Sequence, residues 1–397
     1  MPSRWTRWIG GGCVLLGVAF VALAVSSAGY VVVQGSGGDL VAAAFATPTF
    51  TPLPPTATAS PSPTPTSPVG SRPPELPPLR VADLLTTTRA PLPAGVDPRR
   101  VRTLIVTGDV IPARYVNYKL TARGDFIYPF RATIDVLKDG DVRFINLEAP
   151  LLRRCPVVTS GYQFCGDVRF VEALKWAAID MVNLANNHAG DYGVEGVEET
   201  IAHLKAANIG VTGRGEIAYL DVRGVRFAFL GYNGIGVRFD REKIRRQVAE
   251  ARRAATVVVV QFHWGKEYVS TPAIEPGVAD DDPREIGRLA IDAGADLVVG
   301  NHPHVVQGIE IYQGKLIAYS HGNFLFDQMF QRDVREGVIG RYVFYDRWLV
   351  SAHYFPTLLD DYTQPRLLQG ADAEAVLKRM RDASLQLLAR PFLSRTP

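Results

Sequence analysis

Apolar and polar positions fall into two regimes along this chain. From Ile9 to Val33, "IGGGCVLLGVAFVALAVSSAGYVVV", no charged residue occurs. That run exceeds the ~20 apolar residues needed to span a bilayer. Arg4 and Arg7 precede it and no basic residue closely follows, which places the N-terminus in the cytoplasm. The pattern predicts residues 1–8 inside the cell, a single-pass anchor over 9–33 and an extracytoplasmic body. A secretory signal cleaved after "VSSA", before Gly29, is the alternative and would give a secreted body. The apolar run is longer than the ~7–15 residues of a usual signal core, which favours the anchor.

The second regime begins near Val101, where short apolar runs alternate with helical periodicity. "VRTLIVTGD" (101–109), "DVRFINLEAP" (141–150), "DMVNLANNH" (180–188), "VRFAFLGYN" (225–233), "TVVVVQFHWG" (256–265), "DLVVG" (296–300) and "LIAYSHGN" (316–323) read as strands. Between them, 130–140, 168–179, 194–208, 240–255 and 283–295 read as helices, the last with proline in its first turn. Alternation of this kind predicts an α/β protein with buried sheets. A further amphipathic helix is predicted over 372–390, packed on the body.

Composition adds the connection between the regimes. Ala46 to Pro78, "ATPTFTPLPPTATASPSPTPTSPVGSRPPELPP", is dominated by Thr, Ser and Pro. Such a stretch cannot bury a core and predicts an extended, semi-rigid stalk. The expected organisation is a linker and lead-in over 34–100, the main domain over 101–360 and a C-terminal helical extension over 361–397. The chain carries 43 basic and 40 acidic residues, for a net charge of +3, which offers no electrostatic footprint for nucleic acid. Cys155 and Cys165 lie close together in a loop of an exported body, where oxidation is permitted, and are expected to form a disulfide.

The chemistry collects at strand ends. Asp109 ends the first strand, Glu148 the second, Asn187 and His188 the third, His263 a fourth, and His302 and His304 a fifth. Ligands of α/β sheets bind at the carboxyl ends of strands. Imidazole with carboxylate or amide oxygen suits borderline divalent metals such as zinc, manganese or iron. Two ions ~3.5–4 Å apart need a bridging carboxylate, which Glu148 or Asp109 could supply. Two of only seven histidines stand either side of Pro303 in "GNHPHVVQG", as a ligand pair would require. Arg114 is a candidate for facing an anionic substrate. Glu267, in "WGKEY", is expected either to support the ligands or to be a surface charge. His203 and His353 read as structural, and Asp280, Asp281 and Asp282 as a solvated loop.

Taken in order, "TGDVIPAR", "INLEAPL", "LANNHAGDYG", "QFHWGKEY" and "VVGNHPHVVQGIEIYQGKLIAYSHGNFLFDQ" resemble the CapA-type capsule-synthesis family, itself similar to calcineurin-like metallophosphoesterases. The resemblance covers about residues 102–345. It implies a four-layer α/β/β/α sandwich. It also implies Asp109, Glu148, Asn187, His263, His302 and His304 as ligands of one or two divalent ions, and His188 beside them as a phosphate-facing acid. The chain departs from that superfamily in two places. Its usual Asp-x-His opening is here Asp109-Val110-Ile111, and Glu148 replaces a second aspartate. His321 stands where the family more often has an apolar residue, and is expected near the ligands or among them. The resemblance implies capsule or poly-γ-glutamate biosynthesis, with an anionic polymer and other membrane capsule-synthesis proteins as partners. Two functions remain open at this point: a metal-dependent hydrolase or transferase on such a polymer or a phosphoester, or a non-catalytic binding protein for its export or anchoring.

Overall fold

A computed structural model describes residues 76–389. The expected anchor, the stalk up to residue 75 and the last residues of the chain lie outside that range. Among the described residues no helix is long and apolar enough to cross a membrane.

The described chain is a mixed α/β fold built on two large sheets. The first orders its strands Pro365–Leu367, Trp348–Leu359, Glu336–Tyr345, Val101–Val110, Val142–Leu147, Met181–Asn183 and Gly210–Thr212, with Asn323–Leu325 also paired to Val101–Val110. The second orders Ile309–Tyr312, Lys315–Ala318, Leu297–Asn301, Val257–His263, Val225–Asn233 and Ala218–Val222. Each has a parallel centre: Val101–Val110 runs parallel to Val142–Leu147, and Val257–His263 parallel to both its neighbours.

Side-chain alternation shows how these sheets are buried. Successive residues of a strand point to opposite faces. Leu104 and Val106 join Phe227, Phe229, Val257, Val259, Leu297 and Val299 in one core, so these faces of the two sheets meet. Ile105, one step out of phase, packs instead with Val116, Leu120, Phe170, Leu174 and Leu204 from helical segments. Ala228, Val258, Val260 and Val298 pack with Ile244, Val248 and Ala251 of the helix Arg241–Ala254 and with Ile286, Leu289 and Ala290 of Pro283–Ala293. Strands buried on both faces read as continuous apolar runs, which is why "VVVVQF" carries no polar alternation. The helix Gly370–Ala389 adds Ala373, Val376, Leu377 and Met380 to the core between the sheets.

Two predicted strands end early, and both endings matter for the site. The strand expected over 180–188 stops at Asn183, whose Oδ1 accepts a hydrogen bond from Ala185 N at 3.0 Å. Asparagine turns the chain this way readily, and residues 184–188 become loop. The run expected over 316–323 splits: Lys315–Ala318 belongs to the second sheet and Asn323–Leu325 to the first. The chain therefore crosses between the sheets at residues 319–322.

Candidate metal centre

Asp109 stands in register with Asn146 on one side and Asn323 on the other, at the carboxyl end of the first sheet. Its side chain is fully buried. Oδ1 accepts hydrogen bonds from Asn146 Nδ2 at 2.8 Å and Asn301 Nδ2 at 2.7 Å; Oδ2 accepts from His302 N at 3.3 Å and lies 3.3 Å from His304 Nδ1. Asn301 ends a strand of the second sheet, so this carboxylate ties the two sheets together. Burial works to raise the Asp109 carboxyl, but the contact with His304, the charge of His263 and the Asn146 bond hold it below its usual range.

Glu148 follows the neighbouring strand and is equally buried. Its Oε2 accepts from Asn146 Nδ2 at 3.2 Å. Its Oε1 has no hydrogen-bond partner among the described residues and lies 3.3 Å from His263 Nε2. That same nitrogen lies 2.7 Å from Asn187 Oδ1. Three potential donor atoms thus converge on one point.

The "HPH" turn is built with backbone conformations that side chains rarely adopt. His302 has φ of 95° and His304 of 57°. Such strain persists only where the surroundings impose it, and it concentrates at functional sites. The bracketing glycines mark close approaches of other backbone on either side of the turn. A Cβ on Gly300 would meet Tyr319 O at 2.0 Å, and one on Gly308 would meet Ser384 N at 2.7 Å. His304 Nδ1 lies 2.9 Å from Asn323 Oδ1. Asn323 Nδ2 donates to His304 O and Val334 O, which fixes Oδ1 as the acceptor and places the His304 proton on Nδ1. In the neutral ring Nε2 then carries the lone pair that a ligating histidine needs. Acidic neighbours, Asp109 foremost, raise His304 to about 9 against the opposing effect of burial. His302 differs: burial and the neighbouring histidines push it well below its ordinary value, and neither ring nitrogen has a hydrogen-bond partner among the described residues.

Together these residues make two potential ligand groups, Asp109–Glu148–His263 and Glu148–His302–His304, with the donor atoms of each group within 4.8 Å of one another. Glu148 is common to both. The fit to a cation is chemical as well as geometric. A buried carboxylate oxygen without a donor and a buried imidazole without a partner are each costly. A divalent ion among them would satisfy both.

The remaining predicted residues are placed as follows. His188 is half-buried; its Nδ1 lies 2.8 Å from Asp191 Oδ2, and its ring stacks on Phe164 at 3.8 Å. Glu267 Oε1 lies 3.9 Å from Nε2 of both His302 and His304, at the rim of the cluster. Arg114 is already paired with Asp327, through Nε at 3.1 Å and through Nη2, so the arginine expected to face an anion has a carboxylate of its own. His321 bonds Tyr342 Oη through Nε2 at 2.7 Å and makes no side-chain hydrogen bond to the six candidate ligands; burial lowers it to about 4 against the opposing charge of Asp109. His203 pairs with Glu199 on a helix, and His353 lies in the strand Trp348–Leu359, as structural residues would. Cys155 and Cys165 form a disulfide.

Sequence reasoning missed the amides around the cluster. Asn146, Asn186, Asn301, Asn323 and Gln261 are buried, and all contact the candidate ligands or one another at the site. Gln261 donates to Asn301 Oδ1 at 2.7 Å. The available signal was an asparagine at the polar end of an apolar strand, in "FINL" and "VVGN".

An α/β protein whose strand ends gather carboxylates, imidazoles and amides around one point has the arrangement of the metallophosphoesterase-like superfamily. Within it, the chain belongs to the family described as bacterial capsule synthesis protein PGA_cap, whose profile matches residues 103–328. It is 33% identical over 258 residues to the "PGA biosynthesis protein CapA" of Bacillus subtilis (strain 168), covering 59% of this chain and 66% of that protein. It is 29% identical over 308 residues to the "Capsule biosynthesis protein CapA" of Bacillus anthracis, covering 70% and 72%. A "Probable polyglutamine synthesis accessory protein" of Mycobacterium tuberculosis (strain CDC 1551 / Oshkosh) is 30% identical over 260 residues, covering 56% and 65%. The matches thus span about two thirds of the length of these relatives.

Proposed function

We propose that this chain is a membrane-anchored, extracytoplasmic, metal-dependent hydrolase or transferase acting on an anionic polymer of the poly-γ-glutamate kind, or on a phosphoester. The reading takes the two sheets and their helices as a four-layer α/β/β/α sandwich, with the site at the strand ends. The observation that carries it is Glu148, shared by two ligand groups and left with an unpartnered, buried Oε1. Asp109, Glu148, His263 and Asn187 would hold one ion, and Glu148, His302 and His304 a second. Zinc, manganese or iron suits these nitrogen and oxygen donors.

When bound, such an ion supplies Lewis-acid polarisation of a phosphoryl or acyl oxygen. The chain's own residues do the rest. Asn146 and Asn301 donate to Asp109 and fix the direction of its free lone pairs. Asn323 holds the His304 tautomer. His188, oriented through Nδ1 by Asp191, presents Nε2 to donate a proton to the leaving oxygen. The N-terminal run and the Pro/Thr-rich stretch support the anchoring, which would hold the site outside the membrane within reach of other capsule-synthesis proteins.

A second reading is binding without turnover during export or anchoring of the polymer. It is favoured by Ile111, fully buried and apolar, at the position where the superfamily's Asp-x-His opening supplies a histidine. Metal analysis of the full chain, followed by assay on a phosphodiester and a γ-glutamyl substrate, separates the two. Metal with turnover of either substrate supports the enzyme, metal without turnover supports the binding protein, and absence of metal rejects both.

A further inference from the structure

The loop that carries the disulfide reaches into the site. Between Arg153 and Cys165 the chain forms neither helix nor strand, and Val157, Val158 and Tyr162 are exposed. Only its last two residues, Phe164 and Cys165, are buried. Gln163 Nε2 donates to Asp191 O at 2.6 Å. Phe164 N donates to Asp191 Oδ2 at 2.7 Å, the same oxygen that lies 2.8 Å from His188 Nδ1. The Phe164 ring stacks on the His188 ring at 3.8 Å, with 15° between the planes. Cys165 follows directly and closes the loop on Cys155. The Arg114 guanidinium also lies 4.6 Å from the centre of the Phe164 ring, and its Nη1 donates to Gly161 O at 2.9 Å. The segment is closed at its base by a short parallel ladder, Leu151–Leu152 against Gly166–Asp167. Beyond that ladder the bridge and the Arg114 contacts hold the part that touches His188 and Asp191.

We propose that the Cys155–Cys165 disulfide and Phe164 are positioning elements of the site, which hold the His188–Asp191 pair in its working geometry only while the bridge is closed. Opening the bridge leaves the segment tied only through the short ladder at its base and its non-covalent contacts, loosens the Phe164 ring and N–H, and leaves His188 with Asp191 alone as its side-chain partner. In the extracytoplasmic location proposed above, an oxidising compartment keeps the bridge closed, so on that reading the protein acquires an ordered His188 only after leaving the cytoplasm. The catalytic consequence rests on the reading of His188 as the acid; the placement of the residue does not.

Carbethoxylation of the full chain by diethyl pyrocarbonate, read residue by residue by mass spectrometry, tests the placement. The samples are the wild type with and without dithiothreitol, which gives up two electrons and two protons to the bridge and leaves as its own cyclic disulfide. Beside them stand Cys155→Ala/Cys165→Ala, Phe164→Ala and Phe164→Tyr, with circular dichroism confirming the fold. His188 should react faster in the reduced wild type, the double variant and Phe164→Ala. It should keep its slow rate in Phe164→Tyr, which retains a stacking ring, and His203 should not change in any sample. Dithiothreitol should add nothing to the double variant. Equal His188 labelling in the oxidised and reduced wild type overturns the proposal. On the substrate found by the assay, a lost alignment of about 1 Å should cost about 10²-fold in kcat with KM kept. Faster labelling without any loss of kcat leaves the clamp standing and overturns the reading of His188 as the acid.

Discussion

Asp109 Oδ2 lies 3.3 Å from His304 Nδ1, and both side chains are buried. The carboxyl is held below its usual range, and the imidazole is raised to about 9 from its ordinary 6.5. In protein stripped of metal this contact links stability to pH in two directions. The His304 contribution is complete below about 6.5 and is lost as pH rises to about 9, because the folded state keeps a proton that the unfolded chain releases. The Asp109 contribution is complete above the usual carboxylate range and is lost as pH falls below it.

The first prediction follows. With chelator present, the thermal midpoint should fall between pH 6.5 and 9, and His304→Gln should flatten that slope. Metal binding must displace the His304 proton, so affinity should rise over the same interval. Calorimetric scans across pH, with and without metal, check both. A midpoint that is flat to pH 9 in the chelated wild type contradicts the pairing.

Glu148 and His263 should differ in what they remove. His263 belongs to one ligand group and Glu148 to both. His263→Ala should leave a protein that still binds one ion, while Glu148→Ala should bind none. Elemental analysis after dialysis gives the stoichiometry. Equal losses in the two variants would mean that Glu148 does not bridge.

Much of this site was legible because ligand chemistry is written in residue types that are rare elsewhere. Asp109, Glu148, His263, His302 and His304 each close an apolar run, and the sheet brings such positions to one edge. What lay hidden is set by partners distant in sequence. The Tyr342 partner of His321 lies 21 residues on and carries no signal in the sequence around His321. Arg114 looked free because Asp327 lies far along the chain. The amides of Asn146 and Asn301 carry no periodic signal, and their role appears only when Asp109 is seen to accept from both. The third strand was read too long because "MVNLANN" stays apolar past Asn183, and an asparagine turn, not a change of hydropathy, ends it.

The proposed topology has its own check. Protease added to intact spheroplasts should cut within the Pro/Thr-rich stretch of residues 46–78 and release the folded body. The segment offers no packed core, and such linkers are preferred sites of nicking. A body that is cleaved only after lysis would place it inside the cell.

His188 should separate metal binding from chemistry. Its Nδ1 is taken by Asp191 Oδ2 at 2.8 Å, and one face of its ring by Phe164 at 3.8 Å. It is absent from both groups of convergent donor atoms. His188→Ala should therefore keep the metal content of the wild type, unlike His302→Ala or His304→Ala, each of which deletes a nitrogen from a buried group. General acid catalysis contributes about 10²–10⁴-fold, so the variant should lose that order of rate. The loss should be smallest for substrates whose leaving group needs no proton, such as an aryl phosphoester with an acidic phenol. That contrast distinguishes an acid from a residue that merely orders the site, because disorder would slow every substrate alike. Metal analysis and rates on two leaving groups therefore decide the role together. If His188→Ala loses metal as fully as His304→Ala, the residue is a ligand. If it keeps both metal and full turnover, the proton comes from elsewhere.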